Sequence, residues 1–161
     1  MNKKSWLDYL YYKVGNQQYD FRVNGLKKKD EVVISTKWKK YSEVCFPIDI
    51  GEDWKIEYVN NREILPCEVV IDLEEEGSIE EIIKKLTEDN LTFYVFKTGS
   101  RGFHIHIWFK EVLTNDEKLR IVKRYGGDEQ KANQGTTIAL EYAPHWKTGK
   151  IKEPYPLENG N

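Results

Sequence analysis

The sequence predicts an α+β fold built on a βαββαβ unit, and three observations predict it. Residues 69–73, 91–97, 103–109 and 136–142 are runs of β-branched and aromatic residues of strand length. Between them, residues 79–89 and a segment opening at Thr114 repeat apolar side chains at helical spacing. The Gly99-Ser100-Arg101-Gly102 stretch is short enough to make the second and third strands a hairpin. A chain of 161 residues that is 39% hydrophobic and 13% aromatic can fill one core but not two. The expected organisation is one compact domain over 1–161, with an N-terminal α/β lobe (1–66), the βαββαβ lobe (67–150) and a frayed tail (151–161).

In chain order, residues 6–12 read as a short aromatic helix or strand, followed by turn signals at Gly15-Asn16 and Asn24-Gly25. Residues 31–36 are β-branched and strand-like, and the basic segment Lys37-Trp38-Lys39-Lys40 follows directly. A solvated edge accounts for that segment on base rates, although a Trp among lysines also offers a nucleic acid both stacking and charge. Residues 45–50 and 54–59 read as further short strands. Ser78 is placed to cap the helix over 79–89, with Glu80 and Glu81 in its first turn and Ile82, Ile83 and Leu86 on one face. The second helix carries Leu119, Ile121 and Val122 and stops at Gly126-Gly127. The resulting order is the ferredoxin-like or RNA-recognition-motif-like (RRM-like) arrangement, whose sheet leaves one face free for a site.

Composition narrows the function classes. A formal net charge of −2 on a chain that is 32% charged means that a polyanion needs a local basic patch or metal ions to hold it. Cys45 and Cys67 are the only cysteines and have no close Cys or His neighbour, so neither a disulfide framework nor a structural zinc site is expected. No stretch approaches the roughly 20 apolar residues of a membrane span. Two early lysines have no apolar segment behind them. A cytoplasmic protein without membrane partners is the expectation.

Strand parity decides which polar residues can meet, because alternate side chains share a face. Asp72 and Glu74 fall with Val70, leaving Ile71 and Leu73 for the helices. On the third strand His104, His106 and Trp108 alternate with Phe103, Ile105, Ile107 and Phe109. First and third strands are neighbours in a βαββαβ sheet, so Asp72, Glu74 and His104 share one surface. Two carboxylates two residues apart suit Mg²⁺ or Mn²⁺, which take hard oxygen ligands and keep positions open for substrate phosphates. Taken alone, the pair also reads as the start of the solvated run Glu74-Glu75-Glu76.

The turn tips that balance. It exposes backbone N–H groups, adds the hydroxyls of Thr98 and Ser100, and supplies Arg101 for phosphate oxygens, with His104 on the adjoining strand. His106 reads as a residue at the rim of such a site and Trp108 as a packing residue.

Asp72-Leu73-Glu74 followed by Thr98-Gly99-Ser100-Arg101-Gly102-Phe103-His104 resembles the first two motifs of the archaeo-eukaryotic primase superfamily, across residues 67–150. The resemblance implies a primase-polymerase-like catalytic lobe and a metal-dependent nucleotidyltransferase that makes or extends a primer. Asp72, Glu74 and a third acidic residue, Asp128 with Glu141 as the fallback, would bind the Mg²⁺ or Mn²⁺. Thr98, Ser100, Arg101 and His104 would hold the phosphates, with His145 and Lys147 from Pro144-His145-Trp146-Lys147-Thr148-Gly149 adding contacts. Implied partners are nucleoside triphosphates, single-stranded DNA or a primer–template, and a replication protein. Gly127 stands where the family has an apolar residue before the third carboxylate, and the chain is short for the family.

Two other classes compete. His104-Ile105-His106 is similar to the His-hydrophobic-His metal motif of rolling-circle endonucleases, which would make Tyr125 a nucleophile. That reading leaves Asp72, Glu74 and the turn unused. A non-catalytic relative that binds a nucleotide or a single strand would expose aromatics on the sheet, where this face carries acids and histidines.

Overall fold

The computed structural model describes residues 1–12, 19–45, 56–74 and 79–157. The turn expected at Gly15-Asn16, the cap at Ser78, and residues 46–50 and 54–55 of two expected strands lie outside them. Asn2 and Ser5 form a reciprocal capping box that starts helix α1 (Lys3–Tyr11), which buries Trp6, Leu7 and Leu10. Strands β1 (Arg22–Asn24), β2 (Leu26–Lys29), β3 (Val32–Ser35) and β4 (Lys39–Lys40) lead into helix α2 (Tyr41–Cys45). Cys45 therefore ends a helix rather than opening a strand, and Ile56–Tyr58 is a 3₁₀ turn where a strand was expected. Strand β5 (Asn61–Glu63) follows.

From here the expected elements appear in order: β6 (Glu68–Leu73), α3 (Ile79–Glu88), β7 (Thr92–Lys97), β8 (Phe103–Trp108) and α4 (Asn115–Tyr125). Thr114 caps α4 in a capping box with Glu117, and Gly126 ends it in the left-handed conformation. Strand β9 (Thr137–Ala139) corrects the expected sheet. It pairs with β5, in the order β4-β1-β5-β9, and not beside β6. The second sheet runs β10-β7-β8-β6, and its outer strand is β10 (Glu153–Pro154) from the segment expected to fray. Tyr155 continues that edge by donating its N–H to the Val95 carbonyl, and its ring meets Phe103 at 5.2 Å. The fold is thus α+β with antiparallel sheets, and no helix among the described residues is long and apolar enough to cross a membrane.

Parity sorts the core. Val69, Ile71 and Leu73 of β6 and Phe103, Ile105 and Ile107 of β8 pack with α3 and α4. The other face of the same strands meets the first sheet, where Val70 packs against Ile64 and Ile138. Trp108 joins a further cluster with Trp6, Phe96 and Leu140.

Between the two sheets lies a buried ionic network. The Arg62 guanidinium donates to both Glu68 oxygens at 2.8 Å and to the two Glu141 oxygens at 2.6 and 3.1 Å. His106 Nδ1 stands 2.6 Å from Glu68, and its Nε2 stands 3.1 Å from Lys152 Nζ. All five side chains are buried, with Lys152 the most exposed at 2%. Burial would raise both carboxyls, but Arg62 outweighs it and holds Glu68 and Glu141 well below the usual range. Burial, then the Lys152 charge, pushes His106 below its ordinary value. Two cations and two anions with a neutral imidazole leave the cluster balanced.

Because removing one member of a buried pair strands the other, Arg62→Leu should lose about 3–5 kcal/mol in urea unfolding. Glu68 and Glu141 are depressed below 4.5 and His106 below 6.5, so the unfolded chain takes up protons first as pH falls. The urea midpoint should therefore decline on acidification from pH 6.5 and decline further below pH 4.5. A flat profile would contradict this charge assignment.

Candidate functional site

The face that closes over the ionic network opens at its other end. Along β6 the residues on this face run Glu68, Val70, Asp72, and along β8 they run Trp108, His106, His104. Their register sets Asp72 directly across from His104. His104 Nε2 approaches Asp72 Oδ1 at 3.4 Å, with the Asp72 side chain 26% exposed and that of His104 9%. Burial, then the charge of Lys152, pushes His104 down to about 3, so the imidazole is neutral at pH 7. Burial would raise the Asp72 carboxyl, but the His104 contact wins and lowers it. His104 Nδ1 is buried with no hydrogen-bond partner among the described residues, an orphan that a ligand or a water can satisfy.

These residues line a cleft of about 330 Å³, together with Glu74, Thr98, Ser100, Arg101 and His145. The carboxylates of 72–74 and the 98–102 turn lie side by side in that lining, where the turn meets the end of β6. Gly102 makes that turn possible: its φ is +87°, and a Cβ there would stand 1.9 Å from the Leu73 carbonyl oxygen. The Thr98 hydroxyl is partly used by the turn itself, donating to the Arg101 carbonyl at 2.9 Å and accepting from Ser100 N–H at 3.3 Å. Arg101 is exposed and has no acidic partner among the described residues. A second turn braces the first through Thr148, whose hydroxyl donates to the Gly99 carbonyl at 2.5 Å. His145 Nδ1 accepts the Lys147 N–H at 3.1 Å and so shapes its own turn, while Lys147 is exposed and stands outside the cleft.

Asp128 is close to the first carboxylate through its backbone. Its N–H reaches the Asp72 carbonyl at 3.3 Å, and its side chain caps the following 3₁₀ turn by accepting from Gln130 N–H at 3.0 Å. Gly127 permits that approach, since a Cβ there would lie 2.9 Å from Ile71 Cγ2. The Asp128 carboxylate is exposed and does not line the cleft, so Asp72, Glu74 and Asp128 do not gather their oxygens as a preformed trio.

Among the described residues, the trio whose ligand atoms do lie within 4.8 Å of one another is Glu68, His106 and Glu141, which could hold a metal ion. The donor set argues for a different occupant, because Arg62 and Lys152 already supply the cations these carboxylates require. Glu141, the fallback third ligand, approaches the first strand at its Glu68 end, away from Asp72. His106, expected at the rim, is fully buried in the network. Identical parity could not separate the two histidines, because depth along the strand decides their roles. The two carboxylates of the cleft fit Mg²⁺ or Mn²⁺, which commonly bind through one or two carboxylates with water and phosphate completing the shell.

Tyr125 corrects the endonuclease arrangement. It packs with Val122 and Ile105 on the helix-covered side of the sheet, and its hydroxyl donates to Asp89. It therefore stands behind the strand whose other face carries the histidines. The cleft also contains Asn60, Asn61 and Lys131, which the sequence reading missed. Lys131 donates to the Thr137 carbonyl at 3.0 Å, and its charge helps to lower Asp72. A polar Asn60-Asn61-Arg62-Glu63 run between Val59 and Ile64 was the available signal for the first two.

Comparison of the chain with protein-family models, curated proteins and solved structures found no match in any of the three.

Gly102→Ala should displace the turn, because the new methyl meets backbone in a left-handed conformation. A stability loss of about 1–3 kcal/mol is expected by thermal unfolding. Gly126→Ala, at an equally left-handed but open position, should cost only the conformational part of that loss. Equal losses would show that the close approach to Leu73 carries no weight.

Proposed function

We propose that this chain is a metal-dependent nucleotidyltransferase of the primase-polymerase type, acting on nucleoside triphosphates over a nucleic-acid template. One observation carries the reading: Asp72, Glu74, Thr98, Ser100, Arg101, His104 and His145, drawn from three separate stretches of sequence, line one cleft that holds carboxylates, an arginine, hydroxyls and histidines together. Hard oxygen ligands for a metal ion beside a cation and hydroxyls for the phosphates are what a metal triphosphate requires. The β6-α3-β7-β8-α4 order is compatible with the RRM-like catalytic lobe of that superfamily, and the pairing of β9 with β5 is this chain's departure from it.

In the proposed reaction a 3′-hydroxyl oxygen bonds to the α-phosphorus of the incoming nucleotide. The α–β bridging bond breaks, and its electron pair leaves with pyrophosphate. A bound divalent ion would supply Lewis acidity at the attacking hydroxyl and the phosphates. Asp72 and Glu74 would hold that ion. Arg101 takes charge on the β and γ phosphates, where the leaving group develops it. The Ser100 hydroxyl orients the triphosphate. His104 holds Asp72 in position through the 3.4 Å contact and, being neutral, adds no competing positive charge. The hydroxyl proton passes to solvent.

A second reading is favoured by the position of Asp128: nucleotide binding without transfer, in a relative or subunit whose third carboxylate does not join the cleft. The same assay separates the two. With a single-stranded template, labelled nucleotides and Mn²⁺ or Mg²⁺, Asp72→Ala should reduce synthesis at least 100-fold. Arg101→Ala should raise the nucleotide KM about 10- to 100-fold, and Tyr125→Phe should leave synthesis unchanged. Triphosphate binding with no product from the native chain would select the second reading. A covalent DNA adduct lost with Tyr125→Phe would overturn both.

A further inference from the structure

Strands β2 and β3 form a sheet of their own, paired Leu26↔Ser35, Lys27↔Ile34, Lys28↔Val33 and Lys29↔Val32. Asp30 and Glu31 close it with positive φ of 50° and 68°, the two-residue loop whose twist suits a hairpin. An isolated two-stranded ribbon is marginal in water, yet this one exposes Val32, Val33 and Ile34 at 60%, 48% and 49%. Directly opposed residues share a face, so Lys27 lies with Ile34 on one side and Lys28 with Val33 on the other. Each face thus presents a cation beside an aliphatic side chain. A flat partner would cover one such face, whereas the floor and walls of a nucleic-acid groove can meet both.

Position and charge point the same way. The ribbon's base is tied down by Thr36 N–H to the Gly25 carbonyl at 2.9 Å, and by reciprocal 2.8 Å bonds between Leu26 and the Asn60 side chain. Leu26 and Asn60 both line the cleft, so the arm leaves from its rim and its strands reach roughly 10 Å, three steps at about 3.4 Å each. Lys37 and Lys40 follow in the next segment, with Trp38 37% exposed under the Arg22 guanidinium. Lys27, Lys28, Lys37 and Lys40 have no carboxylate in ion-pair distance among the described residues. Residues 26–40 carry six lysines against Asp30 and Glu31 in a chain whose net charge is −2, so positive charge is concentrated at this rim.

We propose that the β2–β3 ribbon is a duplex-gripping arm, seated in a groove of the double-stranded nucleic acid that flanks the cleft. Lys27 and Lys28 contact phosphates, and Val33 and Ile34 pack against sugars and base edges. The proposal rests on the reading of the cleft as a nucleotide-transferring site and gives it a product-duplex contact.

Fluorescence anisotropy with a labelled 20-base-pair primer–template duplex tests it, beside Mn²⁺-triphosphate binding measured by calorimetry on the same proteins. Lys27→Ala/Lys28→Ala should weaken duplex binding at least 10-fold and flatten the log–log salt slope by about 2. Val33→Ser/Ile34→Ser should weaken it several-fold with the slope unchanged, and a single strand of equal length should respond less to both. Triphosphate binding should be unaffected in all variants. Unchanged duplex affinity in both variants would overturn the arm. So would unchanged affinity with a dimer dissolving on Val33→Ser/Ile34→Ser in sedimentation, which would make the ribbon a self-association surface. Absence of triphosphate binding by the native chain would defeat the reading of the cleft, and the duplex measurement would still decide the arm.

Discussion

Arg62 is the constraint on which the rest of the structure depends. It belongs to β5 in the first sheet, yet its guanidinium is consumed by Glu68 of β6 in the second sheet and by Glu141 just beyond β9. A single planar side chain thereby fixes the distance and the rotation between the two sheets. Apolar packing of comparable volume can stabilise as well, but it tolerates sliding, whereas the bidentate bonds allow one geometry. Lys152 closes the network from the C-terminal side, donating to the Ala139 carbonyl at 2.9 Å, and so anchors the chain just before β10 completes its sheet.

That fixed spacing creates the cleft. On one continuous strand face, the ionic network around Glu68 and His106 shuts the gap, Val70 with Ile64 and Ile138 seals it, and Asp72 with His104 opens it. The sheets cannot close over Asp72, because the network sets how far apart they stand. Water reaches the Asp72 carboxylate, while His104 beside it remains almost wholly desolvated and neutral. A partly exposed acid next to a buried neutral imidazole is thus a consequence of depth along the strands. Lys152 lies close enough to both histidines for its charge to act on each, coupling the closed end to the open one.

What the sequence made legible follows from local rules. Alternation placed Asp72, Glu74 and His104 on one face, and Gly102 with its neighbours gave away the turn, because both patterns are read within a few residues. The failures are non-local. Whether β9 joins β6 or β5 is decided by Ile138 packing with Val70 and Ile64, and nothing within residues 136–142 states that choice. Arg62 looks like any arginine in a polar run until Glu68 and Glu141 are brought to it. Residues 153–155 are too short and too polar to announce a strand, and they order because Lys152 is buried and Tyr155 packs on Phe103.

The proposed function puts metal and phosphate chemistry at the open end of this face, while the closed end is occupied by the protein's own cations, Arg62 and Lys152. Paramagnetic broadening of backbone amide NMR signals by Mn²⁺, with a nucleoside triphosphate present, tests it most directly. Broadening is expected to centre on residues 72–74 and 98–104 and to extend to Asp128 and His145 in the native chain, whose ionic network is intact. Broadening centred on Glu68, His106 and Glu141 would contradict it, as would a spectrum that Mn²⁺ leaves unchanged.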